Sequence, residues 1–318
     1  MKSSEGICAP TEAMLLRILH TTRFDYERPA RQSHNEVRMR PLDSPDQRCV
    51  QFDLETLPGA STFEYCDYFG NHVLALSIYP PHSGLTVVAR SIVERMQIVR
   101  SLAAGTTFKT FLLDDLGRSQ AEYDFLSASR HIPFSEPLRK FFWMARPLQT
   151  EDVADYTNRI VASVHAQFAY EPGTTKVHST ADEILSAGAG VCQDFAHLTI
   201  GVLRLAGIPS RYVSGYLAPA SDDNVESVGA QASHAWLEAQ LPGAGWTGFD
   251  PTNGCQVDQR HIRVAVGRDY SDVPPMRGVY RSSGGSQVMT VDLRIEPESS
   301  AAQQQSQSAS GSKQQNQQ

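Results

Sequence analysis

Short runs of alternating apolar and polar residues, separated by proline and glycine, dominate the first hundred residues. These runs cover residues 15–20, 36–40, 49–55 and 85–90. Runs of this length between turn residues are typical of strands, and several of them in succession favour a β-sandwich. The pattern predicts a β-rich domain over residues 14–105, with a disordered segment over 1–13 before it.

From about residue 103 the apolar residues follow helical spacing instead. One helix is predicted to begin after Asp152, with Val153 and Ile160 on its buried face, and a second follows the capping sequence 180–183. Glycines 188 and 190 end the second helix. A third helix is predicted to begin at Cys192, because apolar residues recur at 195, 198, 202, 203 and 206 before Gly207 and Pro209.

A strict alternation over residues 233–241, a glycine-rich turn and a second run over 245–250 predict an antiparallel hairpin. Two registers are open, and they place Asp250 opposite either His234 or Trp236. In both, Asp250 lies on the face that carries His234. A carboxylate beside an imidazole fixes its tautomer and raises its basicity, so that the imidazole can take a proton from a thiol.

The five cysteines are too few and too scattered for a disulfide framework, and they form no close pair that would indicate zinc. Cys192 differs from the others because a helix N-terminus lowers the pKa of a thiol, and the glycines before it leave the sulfur accessible. Cysteine is also a common small core residue, so both interpretations stay open at this point. The other cysteines, Cys8, Cys49, Cys66 and Cys255, have no comparable setting.

Charge and composition exclude several classes of function. The 318 residues carry a net charge of -7 without a basic stripe, which argues against nucleic-acid binding, and no apolar run is long enough for a membrane span. The first residues lack the pattern of a secretory signal, so a cytoplasmic location is expected. Residues 296–318 are rich in Gln and Ser, with no large apolar residue after Ile295, and predict a disordered tail.

Four segments in order, GVCQDFAHL (190–198), LAGIPSRYVSGYL (205–217), SHAWLEA (233–239) and GWTGFDPTNG (245–254), resemble the core of the transglutaminase-like superfamily in its bacterial branch. Residues 20–43 and 67–73 resemble the N-terminal domain of bacterial members. The resemblance implies an α+β protein: a β-sandwich-like domain, then a papain-like core over 106–295 with leading helices. In that core, the nucleophile lies at a helix N-terminus packed on an antiparallel sheet.

The same resemblance implies acyl transfer through a thioester, with Cys192, His234 and Asp250 as the triad. The backbone N–H of Cys192 is a natural oxyanion donor. Animal relatives use a tryptophan as second donor, but no tryptophan lies between Trp143 and Trp236, which leaves Tyr170 or Gln193 as candidates. No calcium loop of the form DxDxDG is found, and neither a metal nor a cofactor is expected.

Four further residues are candidates for supporting the site. Asp194 either complements the helix dipole or orients a group at the site, and His197 is either a hydrogen-bond partner of the site or an interior histidine. Trp236 either lines a substrate groove or packs against the hairpin, and Asn253 is expected to stabilise the turn after Asp250.

Three functions remain open: hydrolysis of an amide, peptide or isopeptide bond, transfer of a glutamyl acyl group to a primary amine, and a binding or scaffold role with an inactive site. Hydrolysis is preferred because water is the default acceptor. The expected substrate is a peptide, a protein or a γ-glutamyl-type amide, and the resemblance suggests peptide-ligase-like proteins as partners. The sequence does not determine the oligomeric state.

Overall fold

The computed structural model describes residues 13–96, 105–113, 120–175, 178–220, 228 and 233–298. Of the predicted disordered ends, 1–13 and 296–318, residues 1–12 and 299–318 lie outside these ranges. Within them, no helix combines the length and apolar character needed to cross a bilayer.

The N-terminal sheet is organised around one long strand, β1 (Met14–Val37). Its other strands are β2 (Gln47–Leu57), β3 (Ser61–Cys66), β4 (His72–Ile78), β5 (His82–Arg95), β13 (Met276–Arg281) and β14 (Gln287–Pro297). The first half of β1 pairs with β5 and β14, and its second half pairs with β4 and β13, all antiparallel. The chain therefore returns to the N-terminal sheet for its last two strands, which the predicted domain ranges do not anticipate.

The register of β1 against β5 shifts between Asp25 and Ala30, and this break separates its two halves. Buried side chains from both halves and from their partner strands form one apolar core, which includes Tyr26, Val37 and Leu76. Burial of apolar surface between the two parts of the sheet gives the predicted β-sandwich-like arrangement.

The described part of the second unit contains six helices and a five-stranded antiparallel sheet in the order β11-β10-β9-β8-β12. The helices are α1 (Phe108–Leu113), α2 (Gln120–Asp124), α3 (Glu136–Ala145), α4 (Val153–Gln167), α5 (Ala181–Ala187) and α6 (Cys192–Leu205). The strands of this sheet are β8 (Ser210–Leu217), β9 (Ser233–Leu241), β10 (Gly245–Asp250), β11 (Cys255–Gln256) and β12 (His261–Gly267). Two short strands, β6 (Ala169–Tyr170) and β7 (Ala189–Gly190), pair separately. Helix α6 packs on β8 and β9 through residues such as Leu198 and Leu237. The predicted α+β fold is confirmed.

Local sequence signals explain where these helices begin and end. The carboxylate of Asp152 accepts from the backbone N–H of Ala154 at 2.8 Å, so it caps α4 as its position predicts. Helix α5 begins with the predicted capping box of Thr180 and Glu183. Helix α6 ends just before Gly207, whose φ of 84° is one that glycine adopts without strain.

Two predicted boundaries are wrong. Residues 38–40 do not continue a strand, because β1 ends at Val37 and the N–H of Arg38 donates instead to the carbonyl of Pro275. The tail does not begin at residue 296, because β14 extends to Pro297 and Glu298 pairs with Arg17 at 2.6 Å. Backbone pairing holds these residues without any large apolar side chain.

The N-terminal unit consists of β1–β5, β13, β14 and the loops between them. It covers strand β12, which is one edge of the five-stranded sheet. The side-chain amide of Gln47 accepts from the N–H of Arg263 at 2.9 Å and donates to its carbonyl at 2.8 Å. Asn71 makes the same two bonds with Val266, both at 2.8 Å. Two amide side chains thus satisfy backbone groups that an edge strand would otherwise leave unpaired.

The N-terminal unit also covers the sheet face that carries His234, Trp236 and Glu238. The indole of Trp236 lies in a cluster with Leu42 and Phe69 from that unit. Both faces of β9 are therefore buried, although its alternating sequence suggests only one core face. The polar residues on this second face persist because they are paired with partners.

Candidate active site

Cys192 is the first residue of α6, in the position predicted for a nucleophile. Residue Val191 before it is extended, with φ of -113° and ψ of 177°, and its N–H donates to the carboxylate of Asp194 at 2.9 Å. The N–H groups of a first helical turn have no acceptor inside the helix, so that of Cys192 is available to a ligand. The Cys192 side chain itself is half-buried and packs against the core.

The backbone before Cys192 needs glycine for a steric reason. A Cβ on Gly190 would lie 2.8 Å from a carboxylate oxygen of Asp194 and 2.9 Å from its Cβ. The carboxylate that caps α6 therefore occupies the volume where any other side chain would begin. Gly188 meets a different need, since its φ of 71° ends α5 in the left-handed region.

His234 and Asp250 lie on adjacent strands, β9 and β10. Leu241 pairs with Gly245, and Leu237 pairs with Phe249, which is the predicted register that carries Asp250 towards Trp236. Nε2 of His234 donates to Oδ2 of Asp250 at 2.8 Å, and neither side chain is exposed to solvent. The hairpin thus brings the predicted imidazole and carboxylate together.

The pKa of His234 reflects both of its polar neighbours. Burial alone would lower it, but the carboxylate of Asp250 and the neighbouring sulfur of Cys192 together outweigh burial and raise the pKa to about 10. Nδ1 is buried and has no hydrogen-bond partner of its own among the described residues. Because Nε2 is bound to Asp250, Nδ1 is the nitrogen left for exchanging a proton with the thiol.

Asp250 is held by donors on both of its oxygens. Oδ1 accepts from the backbone N–H groups of Thr252 and Asn253 at 2.9 and 3.2 Å, and Oδ2 accepts from the Asn253 side chain at 2.7 Å and from His261 at 3.2 Å. Burial alone would raise the pKa of Asp250, but hydrogen bonds and charges from His234 and His261 lower it well below its usual range. This carboxylate is therefore ionised and fixed in orientation.

The sequence did not indicate His261, the second imidazole on Asp250. His261 begins β12, beyond β8 in the sheet, and its ring lies 6.3 Å from that of His234. No spacing rule links a residue on the edge strand to the hairpin, because their contact depends on the strand order.

Ligand atoms of His234, Asp250 and His261 lie within 4.8 Å of one another, a grouping that a metal ion could also use. The two Asp250 contacts, at 2.8 and 3.2 Å, have the lengths of hydrogen bonds. Three tetrahedral ligands at zinc distances would be roughly 3.3 Å apart. The contact between His234 and Asp250 is shorter than this spacing and is a hydrogen bond.

The two oxyanion candidates, Tyr170 and Gln193, both lie beside Cys192. Tyr170 pairs in parallel with Gly190 through β6 and β7, and its pKa is raised by burial and then by the neighbouring Cys192. The Tyr170 side chain remains 38% exposed. Gln193 follows Cys192 directly and is half-buried. Neither position identifies which of them donates to an oxyanion, and that role stays a prediction.

Asp194 and His197 have different surroundings. Asp194 caps the N-terminus of α6 and also accepts from the hydroxyl of Thr175, so it ties the chain before β7 to the start of the helix. His197 is fully buried, accepts from the N–H of Tyr270 at 3.2 Å and stacks on the ring of His131. Burial lowers the pKa of His197 to about 3, so it is a neutral interior histidine.

Trp236 and Asn253 both lie next to the His234–Asp250 pair. Trp236 is fully buried and contacts the rings of His234 and His261, so it packs behind the site and does not line an open groove. Asn253 bonds Asp250 with both its backbone and its side chain, and its amide also pairs with the backbone of Val228. It stabilises the predicted turn and orients the carboxylate in the same arrangement.

Comparisons with known proteins agree with this architecture. A family model described as the bacterial transglutaminase-like N-terminal region matches residues 16–94, and one described as the transglutaminase-like superfamily matches residues 144–251. A solved candidate cysteine protease from Cytophaga hutchinsonii has a TM-score of 0.71 at 19% identity, covering 91% of this chain and 92% of its own. At that identity the likeness concerns the fold alone.

Two curated relatives are informative in different ways. The uncharacterized protein ML0607 of Mycobacterium leprae is 35% identical over 87% of this chain and 96% of its own length. A protein-glutamine gamma-glutamyltransferase of Pseudomonas aeruginosa is 38% identical over 94 residues, which cover 28% of this chain and 14% of that protein.

Proposed function

The chain belongs to the transglutaminase-like superfamily, and we propose that it is a cysteine enzyme that cleaves amide bonds by acyl transfer. In this proposal, Cys192 is the nucleophile, His234 exchanges protons and Asp250 orients His234. The observation that carries it is the pairing of the buried imidazole: Nε2 is bound to Asp250, while Nδ1 is left for the thiol.

Catalysis begins from a Cys192 thiolate and a His234 imidazolium. The sulfur attacks the carbonyl carbon of the amide, and the C–N bond breaks as Nδ1 of His234 protonates the departing amine or ammonia. The acyl group is then a thioester on Cys192. Water, losing a proton to His234, attacks the thioester and releases a carboxylic acid, and the C–S bond breaks to restore the thiolate.

Negative charge develops on the carbonyl oxygen during both steps. The N–H of Cys192 at the start of α6 is one donor to it, and the helix dipole favours the charge. Tyr170 or Gln193 supplies the second donor. Tyr170 neighbours Cys192 and Gln193 follows it in the chain, and only the backbone N–H is independent of side-chain orientation.

Water is the proposed acceptor because the site is open to solvent on the side of the nucleophile. Cys192 is only half-buried, and Tyr170 beside it is 38% exposed. A site that favours an amine acceptor must exclude water from the thioester. Transfer of a glutamyl group to a primary amine is the second candidate, and the activity named for the Pseudomonas aeruginosa relative favours it.

One assay separates these functions. Glutamine-containing peptides and γ-glutamyl amides are incubated with the protein, with and without a fluorescent primary amine, and ammonia release and amine incorporation are both measured. Cys192→Ala is the inactive control, and Cys66→Ala is the matched control, because it removes an exposed thiol on β3 of the N-terminal sheet.

Cys192-dependent release of ammonia or amine without incorporation supports hydrolysis. Cys192-dependent incorporation of the amine supports the second candidate. If a broad peptide library gives no turnover or covalent thioester that depends on Cys192, the proposal of an enzyme fails and a binding or scaffold role is favoured.

A further inference from the structure

His261 bridges two carboxylates, one inside the proposed site and one outside it. Its Nε2 lies 3.2 Å from Oδ2 of Asp250, and its Nδ1 lies 3.0 Å from Oδ1 of Asp258. The imidazole is 1% exposed, whereas the side chain of Asp258 is 44% exposed. His261 thus connects the buried aspartate to a carboxylate at the protein surface.

The proton on Nε2 of His261 is fixed by its partner. An ionised carboxylate only accepts, so Nε2 must donate to Asp250. Nδ1 has two neighbours, because it also lies 3.2 Å from the backbone N–H of Asp258. Whichever of these contacts Nδ1 uses, the donor that faces Asp250 stays the same.

Oδ2 of Asp250 is consequently shared. It accepts from His234 at 2.8 Å, from Asn253 at 2.7 Å and from His261 at 3.2 Å. Each additional donor to one oxygen reduces the charge available to the others. His261 therefore competes with His234 for the same acceptor.

Asp258, the surface partner of His261, is held in turn by two arginines, of which Arg95 belongs to the N-terminal unit and Arg260 to the same turn. Arg95, 2% exposed, donates to the carbonyl of Asp258 at 3.0 Å, and Arg260 donates to the carboxylate of Asp258 at 2.9 Å. Trp236 packs edge-on against the imidazole at 5.3 Å. The charged groups around His261 are thus Asp250 and His234 on the hairpin, Asp258 and Arg260 on its own turn, and Arg95 on β5.

We propose that His261 is a positioning residue of this site, which shares Oδ2 of Asp250 with His234 and so limits how tightly His234 holds its proton. The inference rests on the proposed function. In the reaction, His234 must release that proton to the leaving amine, and a proton that is held too tightly slows acylation.

The test compares variants that keep or remove the donor. His261→Gln retains a side-chain N–H that can reach Asp250, whereas His261→Leu and the more flexible His261→Met remove it. The pKa of His234 is measured by NMR in a Cys192→Ala background. Because the thiol raises the pKa of His234, its removal lowers the pH range over which His234 titrates. His20→Leu, which removes a buried histidine bonded to Tyr216, is the control for effects that arise from replacing any buried histidine with leucine.

We expect the His234 pKa to rise by about one pH unit in the donor-free variants and to stay unchanged in His261→Gln and His20→Leu. With Cys192 present, the donor-free variants should lower kcat about tenfold at unchanged KM, and His261→Gln should restore it. Circular dichroism identifies variants that fold, and His261→Met serves if His261→Leu does not.

An unchanged His234 pKa in a folded donor-free variant would overturn the proposal, as would an equal shift in His20→Leu. The titration needs no substrate, so it tests His261 even if no peptide is turned over. Absence of turnover in the wild type would count against the proposed function instead.

Discussion

Nε2 of His234 and Oδ2 of Asp250 are 2.8 Å apart, and both side chains are shielded from water. This contact, together with the neighbouring Cys192, raises the pKa of the imidazole to about 10, and with His261 it lowers the pKa of the carboxylate. A contact of this kind links the chemistry of the site to the stability of the fold, because both depend on the same protons.

The first prediction concerns the pH dependence of stability. His234 has a raised pKa, so its contribution is complete below its ordinary value of 6.5 and is lost as the pH rises towards about 10. Asp250 has a lowered pKa, so its contribution is complete above 3.8. The loss of unfolding free energy in Asp250→Asn should therefore be largest between these values and should shrink from pH 6.5 to 10. Urea unfolding across this range measures it.

Asp53→Asn is the control for that experiment, since Asp53 is an exposed partner of Arg90. Its effect on stability should be small and nearly constant across the same pH range. A cost of Asp250→Asn that does not change with pH would contradict the assignment of the raised pKa to His234.

The second prediction concerns the reactivity of the thiols. At pH 6, iodoacetamide should label Cys192 at least about tenfold faster than the exposed Cys66, because the imidazole of His234 can take the proton of the Cys192 thiol. Cys49 and Cys255 should react more slowly still, since burial raises the pKa of both thiols. Peptide mapping by mass spectrometry gives the rates.

Removing the imidazole tests the cause of that reactivity. In His234→Ala, labelling of Cys192 should fall to or below that of Cys66, while the rate at Cys66 stays the same. Preferential labelling that survives this substitution would show that the helix N-terminus activates the thiol without His234.

The third prediction concerns the turn before the nucleophile. Gly190→Ala should lower the unfolding free energy by about 1–3 kcal/mol, because the added methyl group overlaps the carboxylate of Asp194. Displacing Asp194 should also slow Cys192 labelling. Gly59→Ala is the matched control, since nothing lies within 4 Å of a Cβ there. Equal effects of the two substitutions on stability would argue against the steric explanation.

The fourth prediction concerns the buried ion network of Glu238, Arg211 and Arg263. Glu238 is 1% exposed and accepts from Arg211 at 2.8 Å and from Arg263 at 2.9 Å. Glu238→Ala leaves the buried Arg263 with fewer partners and should cost about 3–5 kcal/mol of unfolding free energy. Glu55→Ala, which removes an exposed partner of Arg90, should cost less than about 1 kcal/mol. Similar costs would mean that burial of the network contributes little.

Much of the site could be predicted because its parts lie in short, strongly patterned segments. The alternation of β9 and the length of the turn limit Asp250 to the His234 face, and the glycines before Cys192 mark the start of α6. The contact with His261 could not be predicted in this way. It crosses β8, where Gly215 has no Cβ and leaves room for the ring of Trp236.

The association between the two units was also beyond sequence patterns. Gln47 and Asn71 are single polar residues in or beside strands, and nothing in their surroundings indicates that they bond to β12. The same holds for the return of β13 and β14 to the N-terminal sheet, since strand pairing across more than two hundred residues depends on the whole topology.

The side chains of Gln47 and Asn71 have a consequence for assembly. An open strand edge is a template on which another chain can add a strand, and the two amides occupy that template at Arg263 and Val266. A core produced without the N-terminal unit would expose this edge beside the uncovered indole of Trp236. The N-terminal unit therefore keeps both the open edge of β12 and the indole of Trp236 from contact with another chain.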